Sequence, residues 1–188
     1  MAVNSQMVEF GMRAPAFSLL DTEGHEVSLD DFADAPAMLV MFICNHCPFV
    51  KHVQHELARL AEEYQQRGVG VVGINANDPE THPSDSPEEM RAEASRVGYT
   101  FPYLFDERQD IAKAYGAVCT PDFFLFDGDR RLVYRGQTDA SRPGNDVPVT
   151  GEDLRVALDR VLAGEPPPAE QHPSVGCSIK WKPGNEPA

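Results

Sequence analysis

The order of predicted strands and helices indicates one α/β domain built on a mixed sheet. Two observations carry this prediction: buried-strand patterns alternate with amphipathic helical patterns, and the second half holds a predicted β-hairpin followed by a helix. The chain has 188 residues, the length of one ordinary domain, and 41% of them are hydrophobic. This composition supports a packed core and excludes a disordered chain.

The first half of the domain is predicted as strand, helix, strand. Residues 37–43 form a continuous apolar run that is typical of a buried strand. A helix is expected over residues 48–67 because its apolar residues share one face, and Gly68 ends it. A second buried strand is expected over residues 69–75.

The second half adds shorter elements and a tail. A polar loop over 77–85 is followed by elements predicted at 86–97 (helix), 103–105 (strand), 110–115 (helix), 122–135 (hairpin) and 150–162 (helix). Beyond them the sequence is rich in proline, which predicts an extended tail on the surface. We therefore assign residues 1–164 to the domain and residues 165–188 to the extended tail, which we expect to pack on the domain.

Charge and composition restrict the expected partners. Thirty acidic residues outnumber 16 Lys and Arg, for a net charge of -14. Nucleic acid and anionic membrane surfaces bind clustered positive charge, so neither is an expected partner. With no leader sequence visible and no apolar run of the ~20 residues that span a bilayer, we expect a cytoplasmic protein. Cysteines there are more often reactive or metal-binding than structural.

The most informative segment is Cys44-Asn45-His46-Cys47-Pro48, between a predicted strand and a predicted helix. Proline favours the first helical position, which makes Cys47 the N-cap at the positive end of the helix dipole. This position lowers a thiol pKa from about 8.5, and a protonated His46 would add to the effect. Cys44 is three residues earlier and gains little. We therefore predict that Cys47 attacks and Cys44 resolves.

A second signal is Thr120-Pro121, which precedes a phenylalanine-rich strand. Together with the Cys44–Cys47 pair, this arrangement resembles the thioredoxin superfamily, in which a cis-proline faces the active cysteine and the preceding backbone binds substrate. The resemblance implies a thioredoxin-like fold, a central mixed β-sheet flanked by helices. It also implies that Pro121 is the cis-proline and that Thr120 contacts the substrate.

Within that superfamily, the segment 11–24 and the Cys47-Pro48 pair resemble the peroxiredoxin-like group, the alkyl hydroperoxide reductase and thiol-specific antioxidant proteins. The resemblance covers about residues 10–163. Peroxiredoxins place a Thr or Ser three residues before the peroxidatic cysteine, and here that residue is Cys44. Peroxiredoxins also place an arginine near the start of the strand that corresponds to residues 122–126, and here Thr120-Pro121 stands at that position. These departures favour disulfide exchange over peroxide reduction.

The resemblance leaves the proton-transfer group open. Where thioredoxins bury an aspartate on the strand before the cysteines, this chain has Met41. His46 is the replacement that its position suggests.

The other two cysteines each allow two interpretations. Cys119 is either a third redox thiol or a packed residue at a strand edge. Cys177, in the tail, is either a second resolving thiol or a residue that only packs, with Ile179 and Trp181 anchoring the tail. Zinc binding by Cys44, Cys47, His46 and His52 is a further alternative, but no second metal-spaced pair supports it. We therefore expect no metal and no cofactor.

The combined prediction is a thiol–disulfide oxidoreductase that uses the Cys44–Cys47 pair. Its expected partners are a protein or small-molecule disulfide and an electron-donating thiol or thioredoxin-type reductant. The backbone at Thr120 would hold the substrate as an added strand. The main alternative is a thiol peroxidase that acts on hydroperoxides through Cys47, and a third is a redox sensor or metal-binding module.

Overall fold

The computed structural model describes all residues, 1–188. Four α-helices cover Pro48–Gln66 (α1), Pro87–Val97 (α2), Asp110–Tyr115 (α3) and Glu152–Leu162 (α4). Ten strands cover Ala2–Asn4 (β1), Ser18–Asp21 (β2), Glu26–Ser28 (β3), Ala37–Phe42 (β4), Gly70–Asn75 (β5), Tyr103–Phe105 (β6), Cys119–Thr120 (β7), Asp122–Asp127 (β8), Leu132–Gly136 (β9) and Val175–Ser178 (β10). None of the four α-helices combines the length with the apolar character that a membrane-spanning helix needs.

Seven strands form the expected mixed sheet, in the order β3-β2-β6-β5-β4-β8-β9. Strand β4 is central, parallel to β5 and antiparallel to β8. All six of its residues are buried, because core packs on both faces of the sheet. The continuous apolar run in the sequence is the consequence of that double burial.

The core is split by the sheet into two clusters. Alternate β4 side chains, such as Leu39 and Met41, face α1 and α4, and Met38 and Val40 face the other side. The buried face of α1 includes the apolar residues Val50, Val53 and Leu57, as its periodicity predicted. Cys44 and Cys47 belong to the cluster under α1.

Part of the tail forms a strand that the sequence did not predict. Residues Val175–Ser178 form β10, the middle strand of a second sheet with order β1-β10-β7. Ser174 and Ile179, which flank this strand, are buried. Four residues that include a glycine carry no strand pattern of their own. Their pairing partners lie at the far N-terminus and next to Pro121, so the strand depends on contacts that no local pattern encodes.

Candidate active site

The two cysteines of the motif lie where β4 passes into α1. Cys47 is the N-cap of α1, with extended backbone angles (φ −70°, ψ 123°), and Pro48 is the first helical residue, as predicted. Both thiols are shielded from solvent, since Cys47 is 0% exposed and Cys44 is 2% exposed. A reagent therefore reaches this pair only after a neighbouring element moves.

The Cys47 sulfur is surrounded by hydrogen-bond donors. The Cys44 thiol is the strongest influence and, together with the Cys177 thiol and the backbone N–H groups of Val50 and Cys177, it outweighs burial and lowers the pKa of Cys47 to about 5. The same hydrogen bond, followed by burial, raises the pKa of Cys44 well above its ordinary value. One thiol of the pair is therefore poised as an anion while the other holds its proton.

The helix terminus, to which the sequence motif assigned this lowering, is a secondary cause. In the structure the helix contributes through the N–H of Val50, but the neighbouring thiol contributes more. When Cys47 is a thiol, its Sγ also donates to the Thr120 carbonyl oxygen at 3.3 Å. When Cys47 ionises, it loses this hydrogen bond to the carbonyl oxygen but keeps the groups that donate to its sulfur.

The pKa of Cys47 leads to a prediction on its titration. The other three cysteines have raised pKa values, so an ultraviolet thiolate signal in mildly acidic solution belongs to Cys47. We expect this signal to disappear with a midpoint near pH 5 as the pH falls. In Cys44→Ala the midpoint should rise by about 1–2 pH units because the leading donor is lost.

The matched control is Cys44→Ser, which keeps a hydroxyl donor and should hold the midpoint closer to that of the natural protein. A natural protein that titrates near the ordinary thiol pKa, or an alanine variant with an unchanged midpoint, would contradict this account of the electrostatics.

Thr120 and Pro121 close the site from the opposite side. The peptide bond between them is cis, as expected from the resemblance. The Thr120 hydroxyl lies 3.2 Å from the Cys44 sulfur, and its carbonyl faces Cys47. Both residues predicted to contact substrate thus lie beside the cysteine pair.

A buried aspartate that was not recognised in the sequence organises the motif. Asp85 is 0% exposed and accepts hydrogen bonds from the backbone N–H of Asn45 (2.7 Å) and from the side-chain amides of Asn75 (3.2 Å) and Asn77 (3.0 Å). The Asp85 Oδ2 atom, which accepts from Asn77, also contacts Nδ1 of His46. It fixes the turn that carries the cysteines.

The polar loop expected over 77–85 is not fully solvated, because Asp85 within it is buried. One signal was available: Asn75 ends a strand parallel to β4, so the chain after it had to emerge beside Cys44. The negative charge of Asp85 is also the third cause of the raised Cys44 pKa, after the Cys47 hydrogen bond and burial.

Cys44, His46 and Asp85 form the one group with metal-ligand character, their candidate ligand atoms lying within 4.8 Å of one another. This set differs from the four residues considered from the sequence, because it includes Asp85 and leaves out Cys47 and His52. Asp85 and His46 already bind each other, and Asp85 also bonds three neighbouring amides. These contacts account for the group without an ion.

The two remaining cysteines differ in their surroundings. Cys119 is fully buried, its thiol lies 3.9 Å from the Pro121 carbonyl oxygen, and burial raises its pKa. Cys177 is partly exposed and lies on β10 opposite Thr120. Burial, followed by its hydrogen bond to Cys47, raises the pKa of Cys177 to about 11. Cys177 is therefore the cysteine outside the motif that helps to lower the pKa of Cys47.

An arginine near β8 does not take the place of the peroxiredoxin arginine. Arg135 forms a buried ion pair with Asp122 (2.8 Å) and lies over the ring of Phe124, on the sheet face opposite Cys47. Burial raises the pKa of Asp122 to about 6, although the arginine acts to lower it. The guanidinium is held for structure and does not face the cysteine pair.

A family model described as "AhpC/TSA family" matches residues 10–135, about two thirds of the chain. The chain belongs to this family. Among curated relatives, the thiol-disulfide oxidoreductase ResA of Geobacillus thermodenitrificans is 30% identical over 127 residues, 66% of this chain and 67% of ResA. A Mycobacterium tuberculosis protein named as a candidate peroxiredoxin is 28% identical over 107 residues, 57% of this chain and 63% of that protein.

Solved structures place this AhpC/TSA protein in the thioredoxin-like fold. An uncharacterised conserved protein from Geobacillus kaustophilus is 57% identical, covers 98% of both chains and has a TM-score of 0.96. The thioredoxin domain of a thiol-disulfide oxidoreductase from Bacteroides vulgatus, 21% identical, has a TM-score of 0.58 and covers 69% of this chain and 89% of its own. The fold predicted from the resemblance is confirmed.

Proposed function

We propose that this protein is a thiol–disulfide oxidoreductase in which Cys47 attacks and Cys44 resolves. The observation that carries the proposal is the polarised pair: the Cys44 thiol donates to a Cys47 sulfur whose pKa is lowered to about 5. The Thr120 carbonyl beside Cys47, where a substrate-binding backbone is expected, supports it. The relationship to ResA agrees with this chemistry.

The reaction has two exchange steps. The Cys47 thiolate attacks one sulfur of the substrate disulfide, forms a mixed disulfide and releases the other sulfur as a thiolate. Cys44 then loses its proton and attacks the Cys47 sulfur, which forms the Cys44–Cys47 disulfide and releases the second substrate thiolate. Two electrons pass from the protein to the substrate, and an external thiol or thioredoxin-type reductant returns them.

Asp85 is the proposed acceptor of the Cys44 proton. Its carboxylate lies within 4.8 Å of the Cys44 sulfur and is held there by the surrounding amides. His46, the residue that the sequence suggested for this role, contacts the same carboxylate and can relay the proton outward, since it is partly exposed. In thioredoxins the buried acid lies on the strand before the cysteines, which is β4 here. In this protein the proposed acid, Asp85, lies in the chain after β5 instead.

The proposed substrates are protein or small-molecule disulfides. The cytoplasmic location expected from the sequence stays a prediction, which fractionation of cells against a cytoplasmic marker protein tests.

A thiol peroxidase is the second candidate, favoured by the AhpC/TSA match and the mycobacterial relative. In that reaction Cys47 would become a sulfenic acid, releasing water or an alcohol, and a second thiol would resolve it as a disulfide. Two features weigh against it. Cys44 occupies the position of the peroxide-binding hydroxyl, and Arg135 is on the far face of the sheet, paired with Asp122.

A competition of two oxidants separates the candidates. Reduced protein is mixed in separate reactions with a model disulfide or with hydrogen peroxide. The rate at which the Cys47 thiol is lost is measured by rapid quenching with an alkylating reagent and mass spectrometry. We expect the disulfide to react at least about tenfold faster, because the site supplies a resolving thiol and no peroxide-binding arginine. Faster reaction with peroxide than with the disulfide would establish the peroxidase instead.

A further inference from the structure

The C-terminal strand occupies the edge where a substrate strand would bind. In the β1-β10-β7 sheet, Cys177 pairs with Thr120, the residue before the cis-proline, and Ser178 pairs with Cys119. On its other side β10 pairs with β1, Cys177 facing Ala2. We call the space between β1 and β7 the groove, and β10 fills it. A peptide strand that adds to β7 therefore has to take the place of the protein's own tail.

The tail also presents a cysteine to the reactive sulfur. Cys177 pairs with Thr120, whose carbonyl oxygen is 3.3 Å from the Cys47 sulfur, and both the thiol and the backbone N–H of Cys177 help to lower the pKa of Cys47. Cys47 has no exposed surface with β10 in place, whereas Cys177 keeps some. The arrangement is the one expected for a bound substrate: an extended strand with its cysteine against the nucleophile.

The residue before Cys177 is restricted by the backbone of β7. A Cβ atom placed on Gly176 would overlap the Thr120 carbonyl oxygen. That carbonyl belongs to the residue before the cis-proline and accepts from Cys47, so its position is set by the site. The groove thus accepts glycine, and no larger residue, immediately before the cysteine.

We propose that the groove between β1 and β7 binds an extended substrate segment with glycine before its cysteine, and that β10 is the internal occupant of this groove. Such a substrate displaces Val175–Ser178 and reaches Cys47 in its place. Only the chemistry that follows rests on the proposed oxidoreductase function. Occupation of the groove is a binding property and is measured without disulfide exchange.

The first experiment weakens the occupant in the full chain. Gly176→Ala should expel β10, and alkylation of Cys47 by iodoacetamide, resolved by mass spectrometry, should be about tenfold faster or more. The emission of Trp181, the only tryptophan, should change because that residue packs on the core just beyond β10. The matched control, Ser178→Ala, removes a hydroxyl that bonds only Lys180 Nζ (3.2 Å) and should change neither.

The second experiment leaves the natural protein intact and uses two blocked hexapeptides in which serine replaces the cysteine, SVGSSI and SVASSI. The glycine peptide should displace β10, so that Cys177 alkylates faster while Cys47 stays protected. The alanine peptide should have no effect, because its methyl group overlaps the Thr120 carbonyl oxygen.

Equal effects of the two peptides would overturn the glycine requirement. Unchanged Cys47 alkylation in a Gly176→Ala protein that keeps a cooperative unfolding transition would overturn the occupied groove. If that variant instead loses its fold, the peptide comparison on the natural protein decides. If the natural protein shows the peptide effects but does not reduce disulfides, the proposed function is refuted and the occupied groove is still supported.

Discussion

Replacing Cys47 with serine should lower the turnover of a disulfide substrate by about 10³-fold or more, since the variant lacks the thiolate that makes the first bond. The hydroxyl of serine is not ionised at neutral pH, and the donors that lower the Cys47 pKa cannot compensate. The measurement is steady-state reduction of a model disulfide with a dithiol as electron source.

The companion variant tests the polarity of the pair. Cys44→Ser keeps the nucleophile and removes the resolving thiol, so a mixed disulfide between Cys47 and the substrate should accumulate and be visible by mass. Cys119→Ala, at a buried thiol that the mechanism does not use, should keep its turnover within about twofold, as is usual for a substitution outside the reacting groups. Trapping in Cys47→Ser, together with an inactive Cys44→Ser, would reverse the assignment.

Replacing Asp122 with alanine should lower the free energy of unfolding by about 3–5 kcal/mol, since it leaves the Arg135 guanidinium charged and unpaired in the core. Both side chains are 0% exposed, and the guanidinium makes its 2.8 Å ion pair with this carboxylate. Its remaining bond is to the Gly116 carbonyl oxygen, and Nη1 has no partner even now. Urea unfolding followed by circular dichroism measures the loss.

The control is Glu23→Ala, which removes a surface ion pair with Arg91 on α2. Exposed pairs of this kind contribute about 0–1 kcal/mol, so this variant should unfold at nearly the same urea concentration as the natural protein. If the two variants lost similar stability, the buried pair would not have the structural role described above.

The local part of the site was predictable. Strand β4, helix α1 and the N-cap position of Cys47 all depend on residues within or next to those elements. Apolar periodicity and the preference of proline for the first helical position act over such distances, so they are visible in the sequence. The cis bond at Pro121 came instead from the resemblance to a known superfamily, since an ordinary X-Pro bond is trans.

Asp85 and Cys177 were outside the reach of that reasoning. Asp85 meets Asn45 from 40 positions away in the sequence, in a loop whose composition resembles that of a solvated turn. Cys177 meets Cys47 because β10 inserts between two strands from distant parts of the chain. A four-residue strand with a glycine has no periodicity, and its stability comes from partners, not from its own residues.

Local sequence thus placed Cys44 and Cys47 at the turn into α1, with Cys47 at its N-cap, because capping and periodicity are short-range effects. Folding of the whole chain decided what surrounds that sulfur: the acid behind Cys44, the strand over Cys47 and the arginine turned to the other face. These depend on long-range packing, in which burial converts ordinary polar residues into fixed partners. The same packing places the chain's own cysteine on the edge where a substrate is expected.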